Sequence, residues 1–139
     1  MIELTLSLSE ARWILDRMGI EPRDPSPLRE PLEGTAPAPE GSPAFQTIEA
    51  GLRARGLAGG GSPNPFAAAA LVFAATPQRV YTLALFGPGG AEAYHLAERE
   101  GSAVEVVRGP GGLRLRFPLD AADVESWVAL RTKGGGHGA

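Results

Sequence analysis

Three short, glycine-marked breaks in the second half of the chain constrain the fold most. Gly87-Pro88-Gly89-Gly90, Glu100-Gly101-Ser102 and Gly109-Pro110-Gly111-Gly112 separate four runs rich in apolar and β-branched residues. The runs are 79–86, 91–98, 103–108 and 113–117. Connections this short join antiparallel neighbours, because a parallel crossover needs a dozen residues or more. The last run alternates cleanly, with Leu113, Leu115 and Phe117 turned inward and Arg114 and Arg116 outward. These four runs form a meander.

The first half is helical after one strand. Ile2, Leu4 and Leu6 alternate with Glu3, Thr5 and Ser7 as a half-buried strand. Ser7 and Glu10 have capping-box spacing. The helix behind them carries Ala11, Ile14, Leu15 and Met18 as its inner stripe and stops at Gly19. Phe45, Ile48 and Leu52 mark a second helix from about Pro43. A third, Ala-rich helix runs from about Pro65 to Ala75, with Phe66, Ala70, Phe73 and Ala74 facing inward. Asp120 is the expected N-cap of a last helix in which Val124, Trp127, Val128 and Arg131 share one face, ending near Thr132. The order β-α-α-α-β-β-β-β-α gives an α+β fold, an antiparallel β-meander with helices packed on one face.

The 139 residues suit one domain, placed at 1–132, with 133–139 as a flexible glycine-rich tail. Between 21 and 43 stand seven prolines, which exclude a continuous helix and predict a long loop inside that domain, either a flexible linker or an arm ordered by a partner. Leu28 and Leu32 are placed to pin it to the body. The N-terminus has no basic segment followed by a long apolar run, and the longest apolar stretch, 66–75, is half a membrane span. The expected location is cytoplasmic, with no membrane partner. The net charge of −3 and the single lysine, Lys133, leave no basic face for nucleic acid.

No chemistry-bearing motif emerges. There is no cysteine, and neither His95 nor His137 has a second ligand at metal spacing. Gly59-Gly60-Gly61-Ser62 precedes a helix but lacks the P-loop lysine and a leading strand. The carboxylate pairs Glu98/Glu100 and Asp120/Asp123 read as solvated turns or caps. Glu105 reads as a cross-strand partner of Arg114 or Arg116, worth under about 1 kcal/mol. The expectation is a non-enzymatic chain with no catalytic residue, cofactor or metal, whose work is to bind another protein. Candidate interface residues are Trp13, Leu28, Leu32, Tyr81 and Tyr94. The alternative is an apolar ligand held beneath the helices by Tyr81, Leu83, Tyr94 and Leu96.

A family resemblance sharpens the first reading. A first strand runs into a Trp-bearing helix (4–15). A Pro27-Leu28 step follows, then Leu52-Arg53-Ala54-Arg55-Gly56-Leu57 at a helix end and a Pro-containing break into an Ala/Leu helix. Thr76-Pro77-Gln78-Arg79-Val80-Tyr81 opens the meander. Across most of residues 2–131 this resembles the N-terminal half of the EspG family, the cytosolic chaperones of ESX (type VII) secretion. The resemblance implies an α/β fold of two pseudo-symmetric halves, a chaperone or adaptor role toward PE–PPE secretion substrates, and no catalytic residues. A chain of half that size is expected to restore the architecture as a homodimer.

Overall fold

The computed structural model describes residues 2–60, 62–120 and 123–138, with side chains through Thr132. The elements run β1 (Ile2–Leu6), α1 (Leu8–Met18), α2 (Arg29–Glu33), α3 (Pro43–Ala54), β2 (Ala58–Gly59), β3 (Ser62–Pro63), α4 (Pro65–Ala75), β4 (Arg79–Gly87), β5 (Gly90–Arg99), β6 (Ser102–Gly109), β7 (Gly112–Asp120) and α5 (Val124–Gly138). β4 to β7 form the expected meander. β1 joins it antiparallel to β7, giving the five-stranded order β1-β7-β6-β5-β4.

Local chemistry starts the helices where the sequence says they start. Ser7 Oγ accepts from the Glu10 N–H at 3.0 Å, and Glu10 Oε1 accepts from the Ser7 N–H at 2.9 Å, completing the capping box. Gly19 closes α1 with a left-handed φ of 69° that a side chain would resist. Ser42 caps α3 and Asn64 caps α4, each followed by a proline in the first turn, where no backbone donor is lost.

Alternation then sorts the strands onto two faces. Ala97, Val104, Val106, Leu113 and Leu115 point at α1, α3 and α4 and form the main core with Leu6, Ile14, Leu15, Leu52 and Leu71. Ala67, Ala70, Ala74 and Ala75 let α4 lie close in this layer. Tyr94, Leu96, Ala103 and Val107, one residue out of phase, point to the opposite face and pack on Trp127 of α5. The α+β meander is as expected, and the one-face arrangement holds for α1 to α4. α5 covers the other face, because the strands are apolar on both sides.

Other differences are local. The proline-rich stretch contains the one-turn α2 and is tied down. The Arg23 N–H donates to the Ala75 carbonyl at 2.9 Å, and buried Ser26 donates to the Ala74 carbonyl at 2.6 Å while accepting from the Leu28 N–H. Leu28 and Leu32 are buried, as their pinning role requires. Phe66, in the first turn of α4, is 64% exposed rather than turned inward. Met18, at the end of α1, is 36% exposed rather than part of the stripe. Asp120 is the last residue of β7, paired with Ser102, and its expected role as cap of the last helix depends on residues 121–122, which lie outside the described residues. α5 continues past Thr132, and the expected flexible tail otherwise falls on side chains 133–138 and on Ala139, outside the described residues.

Candidate protein-binding surface

The five residues singled out from sequence divide between the two cores. Trp13 is 4% exposed on α1, with the Phe45 ring at 5.8 Å and the Arg17 guanidinium over its own ring at 5.5 Å. Leu28 and Leu32 share the same core. Tyr94 lies under α5, where Arg131 sits 5.0 Å from the ring centre and the phenol donates to Glu92 at 2.8 Å. Burial, with the Glu92 hydrogen bond behind it, raises the Tyr94 phenol above its ordinary range. Tyr81 is half-buried on β4 and accepts from Arg79 at 3.0 Å through its hydroxyl. The fold brings Tyr81 and Tyr94 into one cluster and Trp13, Leu28 and Leu32 into another. In the chain by itself, Tyr81 alone of the five shows substantial surface.

Glu105 differs most from its sequence reading. It faces Arg116 across the β6–β7 ladder as expected, but it is 1% exposed, buried between β6 and α5, not a weak screened pair. Trp127 Nε1 donates to its Oε2 at 2.6 Å and Arg131 Nε to the same oxygen at 2.7 Å. A second Arg131 nitrogen donates to Oε1, and Arg116, its cross-strand neighbour, stands 3.9 Å away. The Glu105 hydrogen bond holds the Arg131 guanidinium above its ordinary pKa. Trp127 and Arg131 are four apart on α5, so both reach the same carboxylate. That spacing was a readable signal, but only the packing shows that α5 crosses Glu105. The arrangement latches a helix to a sheet, every oxygen of the carboxylate being used for holding.

The outward-facing apolar groups are ones that sequence reasoning placed elsewhere or passed over. Phe86, near the end of β4, is 83% exposed, and Phe66 and Leu130 are also open to solvent. On the helix-side face of the β4–β5 hairpin, Ala84, Ala91 and Ala93 are exposed beside Phe86, because α1 to α4 stop short of the hairpin tip. β4 is a sheet edge with nothing paired beyond it among the described residues.

The residues named for the ligand alternative lie together on the α5 side of the sheet. Tyr81, Leu83, Tyr94 and Leu96 pack against α5 in a continuous cluster. A depression of about 270 Å³ lies elsewhere, among Arg12, Glu21, Arg29 and Glu33. Another of about 280 Å³ lies along the 107–114 turn. Among the described residues no cluster of three His, Asp or Glu side chains is placed to hold a metal ion. No helix among them is long and apolar enough to cross a membrane.

Comparison with known proteins agrees with the architecture. A search of curated proteins returns no significant match. Among solved structures, the chain resembles EspG5, the type VII secretion system chaperone of Mycobacterium tuberculosis, in its complex with the PE25–PPE41 dimer. The TM-score is 0.65 at 18% identity, over 96% of this chain and 51% of EspG5. This chain therefore spans about half the length of that relative, and at such identity the likeness establishes a shared fold. The EspG family profile matches residues 7–130, from the first helix cap into α5. The chain belongs to the EspG family.

Proposed function

We propose that this chain is a non-catalytic protein-binding module of the chaperone or adaptor type, acting in the cytoplasm on a secreted protein partner and working as a homodimer. The observation that carries the reading is the EspG5 fold over 96% of the chain, seen in a chaperone that holds a PE–PPE dimer. The exposed aromatic and alanine surface at the β4–β5 tip supports it, because apolar surface left open on a small domain marks interaction sites. The buried polar groups at Glu105 and Ser26 are consumed in holding helices, which fits a chain that builds surface and not a reactive centre. We place the secreted-partner contact at exposed Phe66, and the contact to the second copy at exposed Phe86 with half-buried Tyr81. Trp13, Leu28, Leu32 and Tyr94 support those surfaces from beneath.

Co-expression with a PE–PPE pair from the same genome tests the function. The expected result is co-elution as one complex in size-exclusion chromatography and a rise in soluble PPE protein. No change in PPE solubility with any such pair, and no co-elution, would remove the PE–PPE chaperone reading.

A further inference from the structure

We infer that the interface between two copies of this chain is the β4 edge itself, paired antiparallel about a two-fold axis at Leu83. This deepens the homodimer reading and rests on it.

The backbone sets which groups are free. β4 and β5 are joined through two residues, Pro88 and Gly89, and Gly87 pairs with Gly90. A pair closing a two-residue connection is hydrogen-bonded, and bonded and non-bonded pairs then alternate along the ladder. The backbone groups of Arg79, Tyr81, Leu83 and Leu85 therefore point at β5. Those of Val80, Thr82, Ala84 and Phe86 point out of the sheet, where no strand stands among the described residues.

β4 has none of the features that keep an edge strand from pairing. It spans nine residues, contains no proline or lysine, keeps one register with β5 throughout, and bears a single charge, Arg79, at its end. Centred on Leu83, the antiparallel register places Arg79 opposite Gly87, Val80 opposite Phe86, Tyr81 opposite Leu85 and Thr82 opposite Ala84. All four outward-pointing residues then meet outward-pointing residues, so every pair that needs hydrogen bonds can make them. No like charges meet. Phe86, 83% exposed in the single chain, lies on the partner's half-buried Val80. On the other face, Tyr81, Leu83 and Leu85 of both copies join the two α5 clusters into one. The same patch serves both partners, as a two-fold interface requires.

The chain has no cysteine, so an introduced thiol reports on register alone. Leu83 meets its own copy in a non-bonded pair, where Cα atoms stand about 4.5 Å apart, within disulfide range. Leu83→Cys is expected to cross-link almost completely under mild oxidation, while Thr82→Cys, facing Ala84, does not. Ala84→Pro removes only an outward donor and so leaves the β4–β5 ladder intact. It is expected to weaken dimerisation by at least about tenfold, with unchanged circular dichroism. Light scattering supplies the mass. A wild-type dimer in which Leu83→Cys stays unlinked and Ala84→Pro stays dimeric would overturn the β4 interface while leaving the homodimer standing. A single-chain mass at micromolar concentration would overturn both. Neither result bears on PE–PPE binding, which co-elution measures separately.

Discussion

β1 and β4 are both edge strands of one sheet, yet β1 is short and closed while β4 is long and open. β1 has five residues. Arg55, at the end of α3, donates to the Thr5 carbonyl on its free side and pairs with Glu10 at 3.0 Å. Glu10 is also half of the capping box that starts α1. The chain leaving β1 passes so close to Gly112 that a Cβ there would run into the Leu6 carbonyl and stand 2.7 Å from Ser7 Cα. β4 has nine residues, a half-covered apolar face under α5 and Phe86 at its tip. Closing an edge takes side chains spent on backbone groups. Leaving one open keeps those groups available for pairing.

The largest expected effect comes from the closed edge. Gly112→Ala puts a methyl group into the β1 backbone at a φ of 138°, where L residues are strained. A loss of about 3 kcal/mol or more is expected by urea denaturation, a size that requires a named steric cause. An unchanged midpoint would show that β1 is not locked against β7. Glu105→Ala comes next. It strips the acceptor from Trp127 and Arg131, and because Arg131 can still reach water, a loss of about 2 kcal/mol is expected, less than for a fully enclosed pair. Amide exchange should then rise along α5 and β4 before β1, and uniform exchange would deny that α5 supports the open edge.

Arg55→Ala is smaller, at most about 1 kcal/mol, since the residue is partly exposed and its pairs are screened. Its sharper readout is faster exchange confined to β1 and the start of α1. The smallest effect is pH-dependent. Burial lowers the His95 imidazole below its ordinary value, and its Nδ1 lies 2.9 Å from Thr82 Oγ1 across the β4–β5 ladder. The folded state prefers the neutral ring, so this stability is complete above the unfolded pKa of about 6.5 and is lost as pH falls through the lower folded pKa. Urea midpoints at pH 8 and pH 5 should differ, and His95→Gln should reduce the difference. A slope untouched by that substitution would assign it to other groups; Asp16 opposes it, because burial raises its carboxyl and a raised carboxyl favours the folded state at lower pH.

The comparison also marks how far residue patterns reach. The helix starts at Ser7 and near Pro43 and Pro65, the stop at Gly19 and the meander itself were legible, because each depends on neighbours within four residues or on turns of a few residues. The burial of Glu105 was missed because alternation says which residues share a face but not what covers that face. Trp13 was read as a possible anchor because its position beside the α1 stripe says nothing of α3, whose Phe45 covers it. Phe86 went unnoticed as surface because its strand looks uniformly apolar, and only the reach of the helix layer shows where cover ends.

By itself, then, the sequence determined the α+β class, the antiparallel order of the last four strands and the family resemblance, all of which arise from short-range periodicity and turn chemistry. Tertiary structure alone decided that β1 closes one side of the sheet against β7, that α5 takes the face opposite the other helices, and that β4 is left as the open edge. Those outcomes depend on which of several apolar surfaces meet first and most completely, and burial is a property of the assembled chain rather than of any residue in it.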